Sequence, residues 1–351
     1  MKRRVYFLLS VLTALVLAAL ACTLPSSTST PAPTKGQESP TEAPTLEPVV
    51  TDSPQAPAST APGIQHADVP GEPPALRRSF AGDQDSFITS PEKRAPGGDR
   101  FTFGRFERPF NADTMDIYLP QIDITETSSY RDNKWIYFTI TVRARDANHL
   151  LSGKYGMEID SDIDGRGDWL VMVSQPASAE WSTDGVEVWY DSNNDVGGSL
   201  SVTADDQGGG NGYDEKLFEN GTGNDPDLAW ARVPADQPFT VQLAVKASLI
   251  GNLDQFMAGA WAGNDLMNPA LFDINDHFTQ QEAGSSLKEF EVYYPIKSVA
   301  EIDNVCRVAI GFQPSGGEPG MCPIAKKGSC TPPSKEVCVD TIYGPSCSCK
   351  P

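Results

Sequence analysis

The sequence predicts an all-β protein: an antiparallel β-sandwich of jelly-roll type with a small disulfide-rich C-terminal tail. Short runs with alternating apolar and polar residues predict strands, and clusters of Gly, Asn and Asp between them predict turns. From Phe101 to Phe290 no segment keeps a helical period for more than about two turns. A parallel sheet with crossover helices is therefore excluded, and many antiparallel strands are favoured.

The clearest predicted strand is "KWIYFTITVRA" at residues 134–144. Alternation gives it two faces, one made of Ile136, Phe138, Ile140 and Val142 and the other of Trp135, Tyr137, Thr139 and Thr141. Further strands are predicted in "MDIYLPQIDIT" (115–125), "WLVMVS", "VEVWYD", "SLSVT" (199–203), "LAWARV" and "FTVQLAVK". The stretch "KASLIGNLD" (246–254) predicts one short helix, after which "QFMAGAWAG" (255–263) returns as a strand.

Residues 1–21 have the pattern of a signal peptide. Three basic residues are followed by an apolar run from Val5 to Ala21, which is short for a membrane-spanning anchor. The run ends in "ALAC", which resembles the lipobox of bacterial lipoproteins. That resemblance implies cleavage before Cys22, a diacylglycerol on its sulfur, and an exported, outward-facing protein that is anchored to the cell-envelope membrane through its N-terminal lipid.

Residues 22–98 are predicted to form a disordered tether. Between residues 23 and 62 there are 9 Pro and 14 Ser or Thr and no aromatic residue, so little apolar surface is available to offset the ordering entropy. Low complexity continues to about residue 98. The sandwich is then predicted at residues 99–300, and the Cys-rich tail at 301–351.

The chain is strongly acidic, with 47 Asp and Glu against 27 Lys and Arg and a net charge of −20. The stretch from Lys154 to Trp230 alone has 17 acidic and 3 basic residues. A nucleic-acid partner is excluded by this sign of charge. Because the acids cluster with Gly and Asn in turns, cations are the favoured ligands.

Six of the seven cysteines lie in the last 46 residues, and Cys22 is the seventh. An even, clustered set in an exported chain predicts a disulfide framework. Zinc is the alternative, but the tail has no CxxC pair and no His. A Cys306–Cys322 bridge around "QPSGGEPG" is favoured among the 15 possible connectivities. The predicted disulfide residues are Cys306, Cys322, Cys330, Cys338, Cys347 and Cys349.

The stretch "EIDSDIDGRGDWLV" (158–171) predicts a Ca²⁺ site. Ca²⁺ takes six to eight oxygen ligands, which carboxylates at alternate positions supply if the chain coils around the ion. Gly165 permits the sharp reversal that this path needs. The predicted ligands are Asp160, Asp162, Asp164, the carbonyl of Arg166, and Asp168.

The spacing D-x-D-x-D-G-x-x-D departs from the EF-hand, because position 12 is Val171 instead of Glu and the flanks are strands. It resembles the nine-residue calcium loops of integrin-type propeller repeats, which lie in β-hairpins. The alternative interpretation is a solvated acidic turn. The embedded "RGD" (166–168) is explained by the same loop and is not assigned to adhesion.

A second stretch, "YDSNNDVGG" (190–198), echoes the first with Asp191, Asn193 and Asp195. It lacks the Gly directly after the third ligand and has no acid at position 9. A second Ca²⁺ site, ligands donated to the first site, and a simple Asn/Gly turn all stay open. Further ligands for either site are suggested in "ADDQGGGNGYDE", namely Asp205, Asp206 or Asp214.

The order of elements from residue 100 to 275 is similar to that of family 9 carbohydrate-binding modules and DOMON sandwiches, which implies a non-catalytic binding module for glycans or cell-surface partners. No nucleophile, metalloprotease or phosphate-loop motif is present in the sequence. A calcium-dependent polysaccharide hydrolase and a purely structural surface protein are the alternatives. Trp181, in the predicted loop "SAEWSTDG", is the candidate platform for stacking on a sugar.

Overall fold

The computed structural model describes residues 64–95, 106–112, 114–197, 210–272, 274–284 and 297–321, and the backbone of residues 335–341 and 344–350. These residues form two antiparallel sheets and a separate hairpin, with only short helical segments. The all-β fold predicted from the sequence is confirmed, and the two sheets are arranged as a β-sandwich.

The two sheets have five and eight strands. The first runs in the order β1 (Ser79–Gly82), β3 (Ile124–Arg131), β4 (Trp135–Val142), β11 (Thr240–Lys246) and β10 (Ala229–Arg232). The second runs β2 (Glu107–Arg108), β13 (Ile302–Ile310), β12 (Phe256–Gly263), β5 (Lys154–Asp160), β6 (Trp169–Ser174), β7 (Val186–Tyr190), β8 (Glu215–Glu219) and β9 (Thr222–Gly223). The hairpin pairs β14 (Lys335–Thr341) with β15 (Gly344–Lys350).

Helical structure in the described residues is limited to single turns: α1 (Ile274–His277), α2 (Gln280–Ala283) and three 3₁₀ turns, Ser90–Glu92, Ala247–Ile250 and Pro269–Leu271. The helix predicted in 246–254 is thus confirmed as a 3₁₀ turn, which Gly251 ends with a φ of +63°. No helix among the described residues is long and apolar enough to cross a membrane.

One predicted strand begins later than expected, and another is not described. The stretch 115–125 joins a sheet only from Ile124, beyond Pro120, which has no N–H to donate to a ladder. The stretch 199–203 lies outside the described residues.

The main core lies between the sheets, and strand alternation produces it. On β4 the face predicted to be apolar packs against residues such as Met157 and Leu243, whereas Trp135 and Tyr137 form a separate cluster with Trp230 on the other face. Another buried cluster, around Trp261, contains residues of the eight-stranded sheet, of loops and of α1. Large apolar residues therefore lie on both faces of both sheets.

The sandwich extends beyond the boundaries expected from the sequence. β1 lies within the segment assigned to the tether, and β13 lies within the segment assigned to the tail. β1 has only four residues in a polar, Pro-rich context, so it has no clear period of its own. β13 is an ordinary strand whose cysteine is buried in the sheet.

The tail cysteines are described only in part. Cys306 is 3 % exposed on β13 and is disulfide-bonded. Its partner and the side chains of the other five lie outside the described residues, although the backbone register of the hairpin sets Cys338 opposite Cys347. The three-bridge framework stays a prediction. The signal peptide and Cys22 also lie outside the described residues.

Candidate metal centre

Two acidic loops lie at the same end of the eight-stranded sheet. One joins β5 to β6 and the other joins β7 to β8, and these four strands are consecutive antiparallel neighbours. Asp160 is the last residue of β5, and Asp191 directly follows β7. The topology therefore brings together the two acidic stretches singled out in the sequence.

Asp160 organises the first loop from a buried position. Its carboxylate accepts hydrogen bonds from the N–H of Ile163 at 2.6 Å and from the N–H of Gly165 at 2.9 Å. These two residues have positive φ values of +65° and +93°, so the chain coils tightly around the carboxylate. Position 165 also excludes a side chain, because a Cβ would lie 2.5 Å from Pro319. The loop thus follows the coiled path that a cation site needs.

Three carboxylates converge inside this loop. Asp168 closes it, since its Oδ2 accepts hydrogen bonds from the N–H of Ser161 at 2.6 Å and from the hydroxyl of Ser161 at 2.5 Å. Carboxylate oxygens of Asp160, Asp162 and Asp168 lie within 4.8 Å of one another. Two oxygens bound to one Ca²⁺ are at most about 5 Å apart. The three carboxylates are therefore spaced to share one ion.

The other two predicted ligands are placed differently. Asp164 is exposed and does not belong to this group of three; it accepts the N–H of Arg166 at 2.8 Å. The guanidinium of Arg166 donates to the carbonyl of Val196 at 2.8 Å. The structure thus brings together three of the four predicted carboxylates, and the carbonyl of Arg166 stays a predicted ligand.

Burial changes the acidity of the loop carboxylates. It raises the pKa of Asp160 to about 7, although the nearby Arg307 and the N–H groups of Gly165 and Ile163 oppose the shift. Burial also raises the pKa of Asp168. A carboxylate that is costly to ionise without a counter-charge gains from a bound cation, which favours the charged form.

A buried ion pair between β13 and β5 supports the first loop. Arg307 on β13 donates to the carbonyl of Gly165 at 2.6 Å and pairs with the Oε1 of Glu158 at 2.5 Å. Glu158 also accepts the indole N–H of Trp261 at 3.0 Å. At Gly167 a Cβ would lie 2.2 Å from Glu158, so this site tolerates no side chain. The loop is thereby fixed to the sheet by charge-assisted hydrogen bonds of buried side chains.

The second loop repeats part of the hydrogen bonding of the first. Asp191 is buried and accepts the N–H of Asn193 at 3.2 Å and the N–H of Val196 at 2.8 Å. Ser192 donates to Asp214 through its N–H at 2.9 Å and its hydroxyl at 2.8 Å. The first loop makes the same arrangement with its own serine and closing aspartate. Burial again raises the pKa of the leading aspartate, Asp191.

The loops correspond in part. Each has a serine after its leading aspartate that donates twice to a closing aspartate, Ser161 to Asp168 and Ser192 to Asp214. Asp162 and Asp164 correspond to Asn193 and Asp195 by position in the sequence. Asn193 is the uncharged counterpart of Asp162 by position, and its amide donates to Asp195 at 3.0 Å. Of the three extra donors that the sequence suggested, the structure places Asp214 in this loop; Asp205 and Asp206 lie outside the described residues.

Direct hydrogen bonds join the two loops. The N–H of Asp191 donates to the carbonyl of Asp168 at 3.0 Å. The amide of Asn194 approaches Asp164 at 3.4 Å. An ion bound in one loop would therefore change the electrostatic potential at the other.

Asp276, which was not predicted from the sequence, lies beside these loops on α1. A Cβ at Gly197 would lie 2.5 Å from the Asp276 carboxylate. Burial raises the pKa of Asp276, although Arg166 opposes the shift, and burial lowers the pKa of the adjacent His277. No spacing pattern connects Asp276 to the loops, so sequence alone offers no signal for it.

Trp181 has neighbours on more than one side. Its indole N–H donates to the carbonyl of Gly71 at 3.1 Å, and the Arg232 guanidinium lies 4.5 Å from its ring centroid. A guanidinium thus already stacks on the ring, and sugar stacking on Trp181 stays a prediction.

Comparisons with known proteins returned no match to any family model, curated protein or solved structure.

Proposed function

We propose that this protein is a calcium-stabilised, non-catalytic binding module that is tethered to the outside of a cell envelope. The convergence of Asp160, Asp162 and Asp168 around a coiled loop is the observation that carries the calcium assignment. Partly similar hydrogen bonding in the second loop supports a second ion there, bound by Asp191, Asn193, Asp195 and Asp214.

Calcium fits these loops better than other common ions. The side-chain ligands proposed in the described parts of both loops are oxygens, which suit hard cations and not the softer zinc or copper ions. The loops are irregular turns, and Ca²⁺ accepts irregular coordination, whereas Mg²⁺ demands near-octahedral geometry and dehydrates reluctantly. A bound Ca²⁺ would also neutralise carboxylates that burial makes costly to ionise.

A binding role is favoured over hydrolysis. Besides the loop cluster, the described residues contain one more group of three close carboxylates, formed by Glu107, Asp123 and Asp303. All three are at most 1 % exposed, so a polymer substrate does not reach them. Glycans and cell-surface partners are the ligand classes that the resemblance to family 9 carbohydrate-binding modules and DOMON sandwiches implies.

The anchor is proposed from the "ALAC" junction and the Pro-rich segment that follows it. When the full chain is expressed in a bacterium that processes lipoproteins, a fatty-acid probe is expected to label it. The Cys22→Ala variant is expected to lose the label, because it removes the only sulfur at the junction. Retention of label in that variant would contradict the anchor.

Calcium is expected to raise the melting temperature of the full chain. Extracellular modules bind Ca²⁺ with Kd of about 10⁻⁴–10⁻³ M. At about 1 mM Ca²⁺ one such site adds roughly 0.4–1.4 kcal/mol, which is a shift of about 1–6 °C for a domain of this size. Scanning calorimetry in chelator, in Mg²⁺ and in Ca²⁺ measures the effect. Equal shifts with Mg²⁺ and Ca²⁺ would argue for general screening of an acidic turn.

A further inference from the structure

The outer face of the five-stranded sheet carries an aromatic and cationic surface. We define the outer face by Trp135, Tyr137, Trp230, Arg232 and Lys246, which lie on β4, β10 and β11. The register sets Trp135 opposite Lys246 across β4 and β11. These aromatic residues are 0–4 % exposed although they lie outside the main core. Another part of the chain must therefore shield them from water.

A strap formed by residues 64–76 lies against this face. The His66 ring meets Trp230 edge-on, with centroids 4.6 Å apart. Further along, Pro70 is buried and the carbonyl of Gly71 accepts the indole N–H of Trp181. The strap thus has a buried proline next to a backbone carbonyl that an indole binds, two features by which many domains recognise Pro-rich peptides.

Asp227, beside β10, holds the beginning of the strap. Its Oδ2 accepts the N–H of Ala67 at 2.9 Å and the N–H of Asp68 at 2.8 Å, and its Oδ1 pairs with His66 Nδ1 at 2.7 Å. Two successive backbone donors on one carboxylate fix the direction of the strap. These contacts depend on the backbone more than on which side chains the strap carries.

Two acidic side chains of the strap match cations of the sandwich. Asp68 pairs with Lys134 and lies 3.3 Å from the ammonium of Lys246. Glu72 makes a bidentate pair with Arg232, at 2.7 Å and 2.5 Å. Hydrogen bonds from Lys134 to Asp68 and from Arg232 to Glu72 hold the pKa of each carboxyl below its usual range. The acids stay charged at neutral pH, so the match is between full charges.

Together these contacts recognise the pattern acid-x-Pro-x-acid, which is "DVPGE" at residues 68–72. A Pro-rich segment favours the extended polyproline II conformation, so it loses little entropy on docking. The chain contains the same pattern once more, as "ESPTE" at residues 38–42. The sequence therefore contains a second peptide of this class.

The strap is attached by contacts that can open without disturbing the sheets. Within the described part of the chain, residues 64–76 make no backbone–backbone hydrogen bond to a strand, and the first such bond is from Arg78 to Ser129. The Glu72 side chain is 79 % exposed, so its ion pair with Arg232 lies at the surface. Opening the strap is therefore expected to require less free energy than unfolding a strand.

We infer that the outer face is a binding site for extended acid-x-Pro-x-acid peptides of other protein chains, and that the strap occupies it in cis. This names a partner class for the proposed binding role and does not depend on calcium. A cis segment acts at an effective concentration in the millimolar range, so it lowers the apparent affinity for an outside peptide. Weakening the strap is expected to open the site.

The test uses the full chain and a fluorescent peptide of residues 36–44, followed by anisotropy. The Asp68→Asn/Glu72→Gln variant is expected to bind the peptide about tenfold more tightly than wild type, because the cis competitor is weakened. Glu72→Gln alone replaces one exposed side chain, so this variant is expected to fold even if the double variant folds poorly. It is expected to give a smaller increase in peptide affinity. A peptide with both acids replaced by Gln is the matched control and is expected not to bind. Adding Arg232→Gln to the strap variant is expected to abolish the gain.

Equal peptide affinity in wild type and both folded strap variants would overturn the inference. So would binding of oligosaccharides, without peptide, that increases when the strap is weakened, because the face would then be a glycan site. Repeating the titration in chelator and in Ca²⁺ separates this result from the calcium proposal. If the peptide does not bind but Ca²⁺ raises the melting temperature as expected, only the peptide site is refuted. If the peptide binds but Ca²⁺ does not change the melting temperature, only the calcium assignment is refuted.

Discussion

Replacing Arg307 with methionine is expected to destabilise the protein by about 3–5 kcal/mol, the usual cost of removing one partner of a buried ion pair. The variant leaves Glu158, which is 2 % exposed, without its cationic partner and with the indole N–H of Trp261 as a remaining donor. It also removes the donor to the carbonyl of Gly165 in the first loop. Urea denaturation in chelator measures the loss without any contribution from calcium.

Two comparisons make this result specific. Lys93→Met breaks the exposed pair with Asp116 and is expected to change stability by less than about 1 kcal/mol. The double variant Glu158→Gln/Arg307→Met also removes the negative charge of Glu158. It is therefore expected to recover part of the stability that Arg307→Met loses. A loss under about 1 kcal/mol for Arg307→Met would mean that the buried pair does not support the loop.

The Asp160→Asn variant is expected to be more stable than wild type at neutral pH in chelator. Because the pKa of Asp160 is about 7 in the folded chain and about 3.9 in unfolded chains, the folded state favours the protonated form. Wild type therefore loses stability at this site as pH rises from about 4 to about 7. Asparagine imitates the neutral form, so the variant avoids a loss of roughly 2–4 kcal/mol, with one pKa unit corresponding to about 1.4 kcal/mol.

Denaturation of both proteins from pH 4 to pH 8 tests this expectation, with Asp236→Asn as the control at an exposed position. The stability difference between Asp160→Asn and wild type should be small near pH 4, grow with pH and level off above about pH 7. A difference that does not change with pH would show that burial leaves the acidity of this carboxyl unchanged.

The fold class could be predicted because strand alternation is a local signal. On β4 the face that the period assigned to the core is the one that packs between the sheets. The strap and β1 escaped prediction because their composition resembles that of the tether. What holds the strap in place is paired charges such as Glu72 with Arg232, which are 160 residues apart and have no local signature.

The local path of the candidate site was also predictable from the sequence, but its tertiary contacts were not. Acids at alternate positions and Gly165 indicate a coiled loop, and the structure has that loop. The repeated role of serine at 161 and 192 could have been seen by aligning "DSDID" with "DSNND", since the serine follows the leading aspartate in both. Asp276 and the Arg307–Glu158 pair reach the loops only through tertiary packing, so no sequence spacing indicates them.

Equilibrium dialysis of the full chain against radiolabelled calcium tests the central claim most directly, with Asp160→Asn and Asp191→Asn as the two loop variants and Asp236→Asn as the control. Wild type and the control should bind about two ions at millimolar or lower calcium, because two loops share one hydrogen-bonding plan. Each loop variant should lose about one ion. If Asp160→Asn binds as much calcium as wild type, or if wild type binds none at several millimolar calcium, the acidic loop is only a solvated turn and the assignment is contradicted.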